Sequence, residues 1–243
     1  GFARAADLAD ALEAAYAQLD AQTMSSSRRV SLRPSGQRSA VSPGGSPAFK
    51  TRGIVFRSVP RVIGARNMAA WRARLEEQDA ELAATLAVDV RAMDWFPTEH
   101  LGALLQAEGI PDEFSKKLGR ATVRSTFRRF FPASAATLSP LATLGALAHI
   151  WPHYHSWGQV ESIKIDARQV ILRLPETPAD KEICRFSTGL LEQITLLSGG
   201  LEAFVIHTKC QCRGDVACEF QVSWTTEDSL PQDLNSGDST IVS

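Results

Sequence analysis

Four cysteines and one histidine in the last quarter of the chain are the residues best suited to chemistry. The cysteines are Cys184, Cys210, Cys212 and Cys218, and His207 stands three residues before Cys210. Thiolates and imidazoles together form closed tetrahedral metal sites, for which zinc is the usual ion. In a reducing compartment, clustered cysteines indicate a metal before a disulfide. The alternative is that these cysteines pack as small hydrophobic side chains.

The predicted secondary structure brings the two ends of this cluster together. A helix predicted over 179–197 places Cys184 in its first turns, and strands predicted over 203–210 and 217–224 follow it. The turn at Arg213–Asp215 joins these strands as an antiparallel hairpin. The cysteines on either side of the turn therefore lie on neighbouring strands.

His207 needs an irregular strand to join the cysteines. Side chains alternate between the two faces of a strand, so His207 and Cys210 point in opposite directions when the strand is regular. A bulge would bring both side chains to one ion. We predict that the metal ligands are Cys184, His207, Cys210 and Cys218, with Cys212 as the alternative fourth ligand.

The pattern along the rest of the chain predicts an α+β fold. Helices predicted over 68–90, 111–131 and 139–150 come first, and hairpins predicted over 160–174 and 203–224 follow. A further helix separates the two hairpins. Runs of helices followed by paired strands are typical of α+β domains. We therefore predict N-terminal helices packed on an antiparallel sheet made of the two C-terminal hairpins.

Composition divides the chain into four segments. Residues 1–22 are Ala-rich with apolar residues at helical spacing, which predicts a helix that either docks on its own domain or binds a partner. Residues 23–49 are rich in Ser, Gly, Pro and Arg and predict a flexible linker, in which Ser31 is a candidate phosphorylation site. The folded domain is predicted over 50–225, and the acidic segment 226–243 predicts a disordered tail.

Several short motifs resemble those of a large myxobacterial family of uncharacterised paralogous proteins, a domain of unknown function. The motifs are Thr51–Phe56, Trp95–Pro97, Ser139–Pro140, Trp151–Tyr154 and Cys210–Trp224. The C-terminal half is also similar to the 4-vinyl-reductase domain, which occurs in ligand-sensing modules, through Cys210, Gly214 and Cys218–Phe220. The resemblance covers about three quarters of the chain and implies an α+β sensory domain.

This resemblance implies a structural zinc ion and a ligand pocket. Sensors of that family hold zinc with three cysteines and an acidic residue; the cysteine spacings here look the same, and His207 replaces the acid. Four protein ligands leave no position for a reactive water, so the zinc would be structural. In those sensors the pocket lies between helices and sheet. The residues that the resemblance places in it are Trp151, Tyr154, His155, Trp157 and Phe186.

Charge and motifs exclude several classes of function. The 26 basic residues are balanced by 27 acidic ones, which argues against nucleic-acid binding, and no apolar run is long enough to span a membrane. The sequence has neither a phosphate-binding glycine loop nor a Gly-x-Ser-x-Gly elbow, so we predict that it is not an enzyme.

We expect a cytoplasmic regulatory or sensory domain that binds a small hydrophobic ligand and signals through a protein partner. The alternative is an adaptor or scaffold for protein–protein interaction that has no small-molecule ligand. In either case the N-terminal helix is the candidate contact for a partner or for a second copy in a homodimer.

Overall fold

The computed structural model describes residues 49–87, 90–107, 110, 113–130 and 139–227. The predicted helix 1–22, Ser31 and nearly all of the predicted linker and tail lie outside these ranges. Within them, no helix combines the length and the apolar character needed to cross a membrane.

Short helices and a two-stranded ribbon form the first part of the described chain. Strand β1 pairs antiparallel with β2, so that Thr51 lies opposite Phe96. The elements of this part are β1 (Lys50–Arg52), α1 (Ile54–Arg57), α2 (Val59–Ile63), α3 (Met68–Gln78), α4 (Ala80–Ala87), β2 (Trp95–Pro97) and α5 (Thr98–Gln106).

The single helix predicted over 68–90 is wrong, because the structure divides it at Asp79. This residue has extended backbone angles, with φ −150° and ψ 89°. Its carboxylate Oδ1 accepts a hydrogen bond of 2.9 Å from the backbone N–H of Leu82. An aspartate that caps the next helix in this way competes with continuation of the first.

The second part of the chain builds the sheet and the long helices that cover it. The elements are α6 (Phe114–Phe130), α7 (Pro140–Ile150), β3 (Glu161–Lys164), β4 (Gln169–Pro175), α8 (Lys181–Leu197), β5 (Glu202–Lys209) and β6 (Ala217–Thr225). The strands form one antiparallel sheet in the order β3–β4–β6–β5. The predicted α+β fold, with helices on an antiparallel sheet of two hairpins, is confirmed.

The sheet has one buried face. In β4 the buried side chains are Val170, Leu172 and Leu174, in strict alternation with half-buried ones. This period of two is expected for a strand with one face against a core. Helix α8 contacts the sheet and begins at Asp180, whose carboxylate accepts hydrogen bonds from the backbone N–H groups of Glu182 and Ile183.

Helices α6 and α8 cross at two glycines. A Cβ atom added at Gly119 would lie 2.2 Å from the carbonyl oxygen of Phe186, and one added at Gly189 would lie 2.0 Å from the carbonyl oxygen of Lys116. Such distances exclude any side chain at either position. The two helix backbones therefore touch directly.

A charged cluster lies beside this crossing. The nearly buried carboxylate of Glu192 is 2.6 Å from Lys116 Nζ and 2.5 Å from Arg120 Nη2. Next to it, Arg124 Nε donates a 2.9 Å hydrogen bond to Gln193 Oε1. A buried carboxylate needs such partners, because an unpaired buried charge is costly.

Candidate functional site

The structure brings together the four residues that the sequence predicts as metal ligands. Their ligating atoms all lie within 4.8 Å of one another. The Sγ atom of Cys184 is 3.8 Å from that of Cys210 and 3.7 Å from that of Cys218. All three cysteines are buried, and His207 is half-buried. Three thiol groups and one imidazole are therefore arranged around one centre.

The bulge on which this arrangement depends is present. Strands β5 and β6 change register between His207 and Lys209, so the alternation of faces is broken there. Beyond the bulge the chain turns around Cys210, whose backbone N–H donates a 2.7 Å hydrogen bond to Asp215 Oδ2. Gly214 closes the turn with φ +89°, a left-handed conformation that favours glycine.

Cys212, the alternative fourth ligand, does not belong to this group of atoms. It is exposed, whereas the other three cysteines are buried. It lies in the short 3₁₀ turn Gln211–Arg213 that follows Cys210. Between the two alternatives of the sequence prediction, the geometry favours His207.

Hydrogen bonds within the cluster favour one thiolate. The hydrogen bond from Cys184 lowers the pKa of the Cys218 thiol to about 3, and contacts with His207 and Thr177 act in the same direction. The same contact with Cys218, together with burial, raises the pKa of Cys184. The thiol of Cys218 therefore loses its proton more readily than that of Cys184.

The imidazole of His207 has a free coordination position. Its ring stacks on Phe220 with a centroid distance of 4.4 Å and an interplanar angle of 8°. Its Nε2 atom is buried and has no hydrogen-bond partner among the described residues. A buried nitrogen without a partner is unusual and indicates a missing ligand such as an ion or a water.

A separate apolar cavity lies between the helices near the 3₁₀ turn that follows α7. Its volume is about 70 Å³. Three of the five predicted pocket residues line it, namely Trp151, Tyr154 and His155. The other lining residues have no distinguishing pattern in the sequence, and they come from α1, α6, α7 and α8. They are Val55, Thr122, Val123, Thr126, Phe127, Thr143, Leu147, Ile150, Leu190 and Ile194.

The other two predicted pocket residues are buried but do not line the cavity. The ring of Trp157 packs against His155 with a centroid distance of 4.5 Å. Phe186 meets the same imidazole edge-on at 6.4 Å. They are part of the wall behind His155 and not part of the cavity surface.

A buried polar network holds His155 in place. The Thr51 hydroxyl lies 3.2 Å from His155 Nδ1 and 3.1 Å from the Thr98 hydroxyl, and it accepts a hydrogen bond from the indole N–H of Trp157. Burial lowers the pKa of His155 to about 3. The imidazole is therefore neutral at physiological pH.

Comparison with solved structures identifies the fold. An H-NOX protein from S. oneidensis in the Fe(II)NO ligation state matches with a TM-score of 0.56 and 14% identity, over 72% of this chain and 99% of that one. The unliganded Fe(II) H-NOX protein from K. algicida matches with a TM-score of 0.57 and 15% identity, over 74% and 100% of the two chains. This chain has an H-NOX-like fold. No family model and no curated protein matches it.

The H-NOX-like fold corrects the resemblance drawn from the motifs. The solved neighbours are H-NOX proteins, and neither a 4-vinyl-reductase domain nor a myxobacterial family of unknown function is supported. The motifs were short and scattered along the chain, so they matched local segments and did not identify the fold.

The predicted structural zinc is also wrong in the light of these neighbours. They are Fe(II) proteins, and a further matching structure concerns heme distortion in the H-NOX family. This further match has a TM-score of 0.54 and 11% identity, over 72% of this chain and 95% of the other. The cofactor associated with the H-NOX-like fold is thus haem and not zinc.

The described residues of this chain do not fit a haem group. Haem iron needs an axial His, Cys, Met or Tyr beside a cavity of sufficient size. The cavity beside His155, about 70 Å³, is far below the roughly 300–1,000 Å³ typical of cofactor pockets. A pocket of about 210 Å³ is lined by Met68, but its volume is also below that range. Two surface grooves of about 390 and 780 Å³ contain no such axial residue among their described lining residues.

Proposed function

We propose that this chain is a non-catalytic sensory domain that receives a small apolar molecule in the cavity beside His155 and signals through a protein partner. The single observation that supports this most is the cavity itself, which lies within an H-NOX-like fold. The solved neighbours include H-NOX proteins in the Fe(II)NO and Fe(II)CO ligation states. A volume of about 70 Å³ suits a ligand of only a few heavy atoms, given that a water molecule occupies roughly 30 Å³.

The walls of the cavity match an apolar ligand. The hydroxyl of Thr122 donates to the carbonyl oxygen of Leu118, that of Thr126 to the carbonyl oxygen of Thr122, and that of Thr143 to Ser139. These hydroxyls are therefore satisfied within their own helices. The cavity then presents mainly methyl groups and aromatic rings, which bind apolar molecules and exclude water.

Xenon is the probe that tests this cavity, because it enters dry apolar cavities without forming hydrogen bonds. We expect ¹⁵N–¹H spectra under xenon pressure to show saturable shifts at residues lining the cavity. Val123→Leu fills the space and should abolish these shifts. Val205→Leu is the matched control, because Val205 is half-buried in β5 and does not line the cavity. This variant should show the same xenon-induced shifts as wild type. Absence of saturable shifts in the folded wild type would contradict ligand reception here and favour the adaptor function.

A protein partner completes the proposal, because a sensory domain has to transmit its state. The edge strand β5 leaves Phe204 and Ile206 more than half exposed, at 52% and 58%. Exposed apolar side chains on an unpaired strand edge favour contact with another chain. The same surface favours the second candidate function, an adaptor without a ligand. The predicted N-terminal helix lies outside the described residues.

We further propose that Cys184, His207, Cys210 and Cys218 form a binding site for one metal ion. The support is the convergence of four ligating atoms within 4.8 Å and the unpartnered Nε2 of His207. Such an ion would tie the start of α8 to the β5–β6 hairpin. It would stabilise the domain and leave no open position for a reacting water.

Metal analysis of the purified protein tests whether these four residues bind an ion. We expect about one metal ion per chain in wild type prepared without chelator, and Cys218→Ser should lose most of it. The variant should also unfold at a clearly lower temperature, because the free energy of binding a structural metal adds to the free energy of folding. Cys212→Ser is the matched control, because this cysteine is not one of the four residues, and it should keep both metal and stability. Wild-type protein without metal, or equal loss in both variants, would contradict the proposal.

A further inference from the structure

A second pocket lies on the other side of α1 from the His155 cavity. Helices α1 to α4 enclose it, and its volume is about 210 Å³. Its apolar wall includes Phe56, Val59 and Met68. A cavity of roughly 150 Å³ is large enough for a six-carbon molecule such as benzene, so this pocket can hold a six-carbon chain with a small polar head.

Two guanidinium groups make the rim of this pocket cationic. Arg57 and Arg72 are both exposed and both line it, and no Asp or Glu is among its described lining residues. Arg57 forms no ion pair with any described residue, and Arg72 uses only its Nη2 atom, at 3.1 Å from the carbonyl oxygen of Leu86. Most of the hydrogen-bonding capacity of these two pocket-lining cations is therefore unused among the described residues.

The indole of Trp71 supplies a second, independent indication of a ligand. This side chain is 1% exposed and lines the pocket. Its Nε1–H is buried and has no acceptor among the described residues. A buried donor without an acceptor is costly, and a ligand oxygen would satisfy it.

We propose that this pocket binds a short aliphatic carboxylate. The carboxylate head pairs with Arg57 and Arg72 and accepts from Trp71, and the hydrocarbon tail packs on Phe56 and Met68. Guanidinium groups match carboxylates because their parallel N–H donors engage both oxygens. This site is separate from the cavity of the proposed sensory function, and the two can succeed or fail independently.

Hexanoate is the probe, and hexanamide is its neutral counterpart of nearly the same shape. Titration of the full chain, followed by calorimetry, should show saturable binding of hexanoate to one site and at least tenfold weaker binding of hexanamide. Substituting both rim cations (Arg57→Gln with Arg72→Gln) should weaken hexanoate binding at least tenfold. Trp71→Phe, which removes the N–H and keeps an aromatic ring at this position, should weaken it severalfold.

The matched control is Arg74→Gln. This arginine is exposed on the same helix as Arg72 but does not line the pocket, so hexanoate should bind as it does to wild type. Urea unfolding verifies that each variant is folded before titration. The proposal is overturned if folded wild type shows no saturable hexanoate binding, if hexanamide binds equally well, or if Arg74→Gln weakens binding as much as the double substitution. If hexanoate binds Trp71→Phe as tightly as it binds wild type, the indole N–H does not contact the carboxylate and that part of the proposal is wrong.

Discussion

Replacing Gly189 with alanine is expected to lower the free energy of unfolding by about 3 kcal/mol or more. The new Cβ would lie 2.0 Å from the carbonyl oxygen of Lys116 and 2.8 Å from its carbonyl carbon. These are backbone atoms of a facing helix, so no side-chain rotation can relieve the overlap. Helices α6 and α8 would have to separate, and the packing around Glu192 and the sheet would be lost with them.

Gly145→Ala is the matched control for this substitution. Gly145 is exposed in α7, and a Cβ added there meets nothing within 4 Å. Alanine there should stabilise the protein by about 0.5–1 kcal/mol, because it lowers the entropy of the unfolded chain. Urea denaturation of both variants gives the comparison. If Gly189→Ala is as stable as wild type, the close crossing of the two helices is not as the structure shows it.

Protonation of His155 is expected to make the protein less stable as the pH falls from about 6.5 towards 3. Burial lowers the pKa of His155 from 6.5 to about 3 in the folded state. In this window the unfolded chain binds a proton that the folded chain does not, so lowering the pH favours unfolding. Above pH 6.5 the protein keeps the full stability that neutral His155 allows. By pH 3 it has lost nearly all of this stabilisation, which amounts to roughly 4 kcal/mol of unfolding free energy.

The neighbours of His155 explain why no other group offsets this loss. The described residues around its ring are Thr51, Trp151, Trp157 and Phe186, none of which carries a charge. An imidazolium would therefore be buried without a counter-charge.

Unfolding free energies of wild type and His155→Asn between pH 7 and pH 4 measure the effect. Asparagine keeps a polar group near Thr51 and does not titrate, so the variant should show a flatter dependence on pH. The control His149→Gln changes an exposed histidine and should keep the wild-type slope. Parallel curves for wild type and His155→Asn would show that His155 does not titrate with a lowered pKa.

The cluster of Cys184, His207, Cys210 and Cys218 shows how much of a site can be predicted from residue spacing. The positions of Cys184, Cys210 and Cys218 relative to a helix and a hairpin were enough to predict that they meet. Strand alternation meant that His207 and Cys210 could face one centre only across a bulge, and the structure has a register shift there. Such local geometry can be predicted because it depends on residues close in sequence or paired by one turn.

Only one wall of the apolar cavity could be predicted from the sequence, and the reason is physical. Its aromatic wall comes from one segment that includes Trp151 and His155, and this segment is conspicuous in the sequence. The opposite wall comes from α1, α6 and α8, where Val55, Val123 and Leu190 look like any other apolar residue. Which apolar residue faces a gap and which fills one depends on helix packing, and this leaves no local signal.

The sequence by itself determined the class of fold, the order of the two C-terminal hairpins and the helix between them, and a cluster of cysteines in which His207 and Cys212 remained alternatives. These follow from periodicity, turn residues and the alternation of strand faces. Only the tertiary structure decided that Gly119 and Gly189 bring two helices into backbone contact. The same is true of the ion pairs between Glu192 of α8 and the basic residues of α6, and of the indole N–H of Trp71, which has no acceptor among the described residues. Each of these depends on distances between segments far apart in the chain, which spacing along the sequence does not encode.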